Sequence, residues 1–265
     1  MLTNKRYLTC SLISLATALA AGCDDTPRGD GKTYVLVHGA FTSSASWQPV
    51  ADGLRAEGAR VLAPDLPAHG EDPAPASAAT LDAYVARIEE TVETADGHVV
   101  LVGHSLGGIV VSQLAERRPD AIDRAVYVGA YAPENAQSLL DLTMLDRDSQ
   151  IGAHLQFHED GTVDVEAAAF PDLFCADCDA AGRAALIAAY QAEPGTPFPT
   201  KLQLGAGFAS VPKTYVHTAS DRVVSPQLQG LMTTATAFDR EVTVDTSHVP
   251  QLAAPDALVD LLLDE

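Results

Sequence analysis

The stretch LVGHSLGGIVV, residues 101–111, sets a histidine and a serine between two apolar runs, with glycines at 103, 107 and 108. Gly103-His104-Ser105-Leu106-Gly107 has the G-x-S-x-G spacing of a nucleophile held in a sharp turn between a strand and a helix. The glycines have a steric reason. A strained turn brings strand and helix backbones close on both sides of the serine, and neighbours without side chains permit that approach. A helix that starts just after Ser105 also aims free N–H groups and partial positive charge at the serine oxygen, which favours the anion formed in acyl transfer.

A serine hydroxyl is a weak nucleophile near neutral pH, so this spacing calls for a base and for a carboxylate to orient it. Downstream, HTASDRVVSP carries Asp221 just past one apolar run, and VDTSHVPQL carries His248 just past another. Both positions are loops at the carboxyl ends of strands, where open α/β sheets build their sites. The expected triad is therefore Ser105, Asp221 and His248. Competing side chains have plainer readings: Asp245 forms a turn, His217 is a satisfied core histidine, His104 packs, and His38 ties down the first loop. Two backbone donors are expected for the developing oxyanion, each worth on the order of 3 kcal/mol in the transition state. They are the N–H of Leu106, next to the nucleophile, and that of Ala40, in the loop VHGAFTSSASW.

The elements needed to position these groups follow from apolar periodicity. Short buried runs at 33–39, 60–70, 98–103, 124–130, 213–218 and 240–245 alternate with amphipathic segments, the pattern of an α/β fold with a mostly parallel sheet flanked by helices. Helices are expected over 44–58, over 80–95 with Thr80 as N-cap, from Gly107 to Pro119, and over 255–265. The lone Trp47 reads as core. Between Tyr131 and about Pro212 the rhythm breaks into helical patches and proline-rich joints with no convincing strand, so a small helical cap is expected at about 132–212, after the fourth strand.

Composition narrows the partners. At 265 residues and 47% hydrophobic, the chain is long enough for one enzyme-sized core, and 36 acidic against 16 basic residues repel nucleic acid and anionic lipid heads. The start, MLTNKRYLTCSLISLATALAAGC, has a basic opening, an apolar stretch and small residues before a cysteine. It reads as a signal peptide over 1–22 with Cys23 as a lipidation site, followed by a solvated tether over 23–32 and a folded domain over 33–265. The expected location is the bacterial cell envelope, with contact to the membrane only through the lipid; a soluble secreted or periplasmic form is the alternative. Cys175 and Cys178, in CADC, are the only cysteines of the folded body and read as a disulfide in an oxidising compartment. A zinc site built from them with His154 and His158 is the weaker alternative, and no metal is expected.

With these residues in hand, the chain resembles the α/β-hydrolase superfamily, in the small-esterase branch that holds plant methyl esterases and hydroxynitrile lyases. YVLVHGAF, Trp47, LVGHSLGG, VYVGAYAPENAQSLLDL, ASDRVVSP and DTSHVPQLAAPDAL fall in the order of that branch. The resemblance implies a cofactor-free enzyme with a helical cap over the serine, and it gives Ser105, Asp221, His248, Ala40 and Leu106 the roles already derived. It also puts Phe41, Tyr131 and Val249 along an apolar substrate pocket. The lyases of the branch carry threonine at the position of Gly39 and lysine at the position of Val249, so hydrolysis of small to medium apolar esters is the expected reaction. An envelope-tethered binding protein that keeps the fold without turnover is the reading from another class. A dehalogenase would need aspartate at position 105, whereas a peracid-forming side activity is compatible with the triad.

Overall fold

The computed structural model describes residues 28–29 and 31–265; the leader segment and Cys23 lie outside the described residues. Nine strands and ten α-helices organise them: β1 (Thr33–Val37), α1 (Gln48–Ala56), β2 (Arg60–Leu62), α2 (Leu81–Glu93), β3 (Val99–His104), α3 (Gly107–Arg117), β4 (Ile122–Val128), α4 (Leu139–Leu145), β5 (Leu155–Phe157), β6 (Thr162–Val165), α5 (Phe170–Phe174), α6 (Ala180–Ala188), β7 (Glu193–Pro194), α7 (Ala206–Ser210), β8 (Lys213–Thr218), α8 (Pro226–Ala235), β9 (Arg240–Val244), α9 (Pro250–Ala253) and α10 (Pro255–Leu263).

Six strands form one sheet in the order β2-β1-β3-β4-β8-β9, and every neighbouring pair is parallel. Its two faces are separated by the two-residue period of the strands. Val35, Val37, Leu101, Tyr127 and Tyr215 face α2, α3 and α8. Tyr34, Leu36, Val102, Val128 and Val216 face Trp47, α1 and α10. Burial on both faces explains why β1 and β3 read as unbroken apolar runs rather than alternating ones. The chain leaves β1 towards β2, then returns on the other side of β1 to lay down β3, so the loops after β1 and β3 open at a topological switch point. Thr80 caps α2 as expected, its side chain accepting from the Ala83 amide.

Two expectations need correction. The insertion between β4 and β8 is not purely helical: β5, β6 and β7 make a small antiparallel sheet among its short helices. These strands have only two to four residues, too few for alternation to be legible. The segment before residue 33 is not wholly a solvated tether either. Arg28 pairs with Asp260 and Asp264 at 2.7 Å each, Gly29 donates to the Glu57 carbonyl at 2.8 Å, and Lys32 Nζ donates to the Leu263 carbonyl at 2.7 Å. Arg28 thus meets the acids near the end of α10 and Lys32 its terminal carbonyl, contacts that polarity alone could not announce.

Between β3 and α3 there is no space for another side chain. A Cβ on Gly103 would stand 2.7 Å from Val111 Cγ2 and 2.8 Å from the Gly107 carbonyl carbon. Gly103→Ala is therefore expected to cost about 1–3 kcal/mol of stability through overpacking. Urea denaturation should show a lower midpoint with an unchanged slope; a wild-type midpoint would contradict this packing.

Candidate active site

Ser105 sits at the end of β3 with φ of 53°, a left-handed conformation that serine adopts only where its surroundings enforce it. Three backbone bonds do so here. Its N–H donates to the Val128 carbonyl at 3.3 Å, and its carbonyl accepts from Gly108 and Tyr131 at 3.1 Å each. The turn presents Oγ above the sheet and leads directly into α3, whose residues from Gly107 to Ala115 are all buried.

The two partners expected from sequence arrive from β8 and β9. His248 Nε2 lies 3.0 Å from Ser105 Oγ, and His248 Nδ1 lies 2.8 Å from Asp221 Oδ2. All three residues are buried. Asp221 is held firmly: its Oδ1 accepts the Val223 and Val224 amides at 2.8 and 2.9 Å, and Oδ2 also accepts the Thr218 hydroxyl at 2.7 Å. A carboxylate so fixed accepts a hydrogen bond from the Nδ1–H of His248, which holds the tautomer whose Nε2 is free to accept from serine. Asp245 is exposed and bonds neither Ser105 nor His248. His217 departs from its expected place in the core. It is half-buried and bonds Glu241 across to β9 at 2.8 Å.

His104 and His38 are both buried beneath the serine loop. His104 Nε2 donates to the His248 carbonyl at 2.8 Å, and its Nδ1 finds no partner among the described residues. Burial, with His248 beside it, holds its pKa well below the usual histidine value. His38 Nδ1 donates to the Gly39 carbonyl at 2.9 Å and Nε2 accepts the Leu66 amide at 3.1 Å, so the ring does tie down the loop after β1. Burial, reinforced by His69, brings its pKa down to about 3.

That loop and Leu106 complete the floor of a narrow apolar cavity that opens to solvent. Ala40, Phe41, Ser105, Leu106 and Tyr131 line it from below. The backbone N–H groups of Ala40 and Leu106 have no acceptor among the described residues, as oxyanion donors require. Burial raises the Tyr131 phenol far above its usual range, so its hydroxyl stays protonated. The cap supplies the expected roof through residues the sequence did not single out, the apolar Ile151, Leu155, Phe174 and Phe198 together with Thr143. Val249 does not line this space. It is fully buried in the core at the start of α9, where its carbonyl accepts the Leu252 and Ala253 amides.

Cys175 and Cys178 are bonded to each other. That removes the thiolates a zinc site would need, and the histidines of that alternative pair elsewhere, His154 with Glu166 and His158 with Asp164, at 2.9 Å each. The bonded loop holds Asp177 against Ser247, whose amide donates to Asp177 Oδ2 at 2.9 Å and whose hydroxyl bonds the other carboxylate oxygen. Phe174, just before the loop, sets its ring edge-on to His248 at 5.1 Å. The cap thus grips the residue preceding the histidine and the histidine ring itself.

The Alpha/beta hydrolase family model matches residues 34–261. A chloroplastic Arabidopsis thaliana protein named as methylesterase 11 is 28% identical over 87% of this chain, but the match spans 63% of that protein, less than two thirds of its length. A pyrethroid hydrolase from Sphingobium wenxiniae is 26% identical, with 87% of this chain and 86% of that protein covered. Among solved structures, an extracellular α/β-hydrolase from a Paenibacillus species superposes with a TM-score of 0.74 at 26% identity, covering 88% of this chain and 98% of that one.

The buried histidines make stability depend on pH in opposing ways. His38 and His104 are neutral in the folded chain but ionise near 6.5 when unfolded, so below about pH 6.5 the unfolded chain binds more protons and stability falls. His69 is opposite. Burial would lower it, but Glu193 more than reverses this and raises its pKa, so its contribution is complete below about 6.5 and fades as pH rises through the folded value. His38→Gln should flatten the loss of denaturation midpoint between about pH 6.5 and 4, even if the variant is less stable at pH 7. An unchanged acid slope would show that His38 is not the group responsible.

Proposed function

The chain belongs to the α/β-hydrolase family, and from that premise we propose that it is a serine esterase acting on small to medium apolar esters through an acyl-enzyme. One observation carries this reading: His248 bridges Ser105 at 3.0 Å and Asp221 at 2.8 Å on the floor of an apolar cavity. In the proposed cycle His248 Nε2 takes the Ser105 proton while Oγ bonds to the ester carbonyl carbon. The carbonyl electron pair moves onto oxygen, which the Ala40 and Leu106 amides hold, and Asp221 steadies the imidazolium. Collapse expels the alkoxide, which takes the proton from His248; water then repeats the sequence on the acyl-enzyme.

The cavity argues for the substrate class. Its lining has no charged side chain, so a neutral ester is accommodated and the ionised acid product is not, which favours release. Relatives named as a methylesterase and a pyrethroid hydrolase support cleavage of an ester bond. Cyanohydrin cleavage is disfavoured at both positions that distinguish the lyases. A Cβ at Gly39 would stand 2.8 Å from both His104 Nδ1 and Ser105 Cβ, leaving no place for threonine, and position 249 is a buried valine.

We also propose export to the cell envelope with lipid attachment at Cys23. The bonded cysteines suit an oxidising compartment. Intact-mass measurement on protein from a native envelope fraction should give a chain starting at Cys23 with the added lipid mass; a chain retaining Met1 would overturn the anchor.

Ser105→Ala should lower kcat for p-nitrophenyl butyrate by at least ~10³-fold while circular dichroism stays unchanged. The wild-type chain should be labelled at Ser105 by a fluorophosphonate. A wild-type chain that resists labelling would point to the binding-protein alternative and overturn the esterase reading.

A further inference from the structure

Phe41 follows Ala40 in the loop after β1 and has φ of 62°, a conformation a phenylalanine does not hold unaided. The bonds that hold it come from the cap. Gln191 N–H donates to the Phe41 carbonyl at 3.0 Å, and Phe41 N–H donates to Glu193 Oε2 at 2.9 Å. Glu193, in β7, is fully buried. It accepts two more donors, His69 Nε2 at 2.9 Å to the same oxygen and the Tyr84 hydroxyl at 3.3 Å to Oε1. His69 Nδ1 meets the Pro67 carbonyl at 3.1 Å, so both ring nitrogens face acceptors and the ring is an imidazolium paired with the carboxylate. Gln191 extends the clamp. Its side chain accepts the Gly70 amide at 2.6 Å and donates to the Ala68 carbonyl at 2.8 Å.

A buried carboxylate with three donors is costly to desolvate. Its position explains it. The Phe41 peptide it holds is joined directly to Ala40, so the direction of the Ala40 N–H is set by how Phe41 is gripped. Resting on the esterase reading above, we propose that Glu193 is a positioning residue that fixes the oxyanion donor of Ala40 from the cap through the Phe41 amide.

An oxyanion donor acts chiefly in the transition state, so a misaimed one lowers kcat and leaves KM little changed. Glu193→Ala should lower kcat for p-nitrophenyl butyrate by about 10- to 100-fold with KM altered by less than about 3-fold. Glu193→Gln keeps an acceptor for the Phe41 amide, and should return kcat to within about 3-fold of wild type. Amide hydrogen exchange, read without substrate, should speed by about tenfold or more over residues 39–42 in Glu193→Ala and stay near wild type over 101–111. Unchanged exchange at 39–42 would overturn the proposal, as would faster exchange with unaltered kcat. Should Glu193→Ala fail to fold, Glu193→Gln and Tyr84→Phe decide: a Gln variant that loses as much kcat as expected for Ala, or a Tyr84→Phe variant that loses more than Glu193→Gln, would overturn it. A wild-type chain without ester turnover would overturn the esterase reading, and the exchange over 39–42 would still report separately whether Glu193 holds the loop.

Discussion

The structure depends on one backbone conformation, the left-handed turn of Ser105 between a buried strand and a buried helix. A residue so placed is strained by roughly 1–3 kcal/mol and stays only where everything around it is fixed. Here Val128 from β4 takes its N–H, and Gly108 and Tyr131 take its carbonyl. The central place of β3 in the sheet follows from the same need, because a strand with neighbours on both sides cannot shift to relieve the turn. The same constraint accounts for Gly108, where any side chain would collide with the Tyr131 carbonyl.

From this fixed point the polar network extends in layers. His248 meets the serine, Asp221 meets His248, and the Val223 and Val224 amides with the Thr218 hydroxyl meet Asp221. Every polar atom of the carboxylate has a partner, which is the condition for keeping a charge in a site with so little exposed surface. Below the serine, His104 and His38 give the floor polar contacts without adding charge, since burial keeps both neutral. The cap is not a separate cover. Asp177, framed by the bonded cysteines, holds the residue before His248, and Glu193 and Gln191 hold the loop after β1.

Much of this was legible in the sequence. Local rules place the Ser105 turn, the strands and the caps, because the steric needs of a sharp strand-to-helix turn and the period of a doubly buried strand act over a few residues. Asp221 and His248 could be selected because strand ends are readable, and the alternatives had plainer readings, Asp245 as a turn former three residues before His248 and His217 as a residue inside an apolar strand. Val249 misled because the family layout carried it into the pocket, whereas in this chain it is buried in the core at the start of α9. The short strands of the cap and the attachment of Arg28 to α10 left no periodic signal.

What the sequence by itself determined is the fold class, the strained nucleophile and the strand ends that carry its partners, consequences of local sterics and apolar spacing. The tertiary structure alone decided which cap residues roof the cavity and that Glu193, a single acid in a proline-rich stretch, is buried against His69, Tyr84 and Phe41. Those contacts join residues more than a hundred positions apart. Such pairings are chosen by packing free energy summed over the whole domain, and no short window of residues contains that sum.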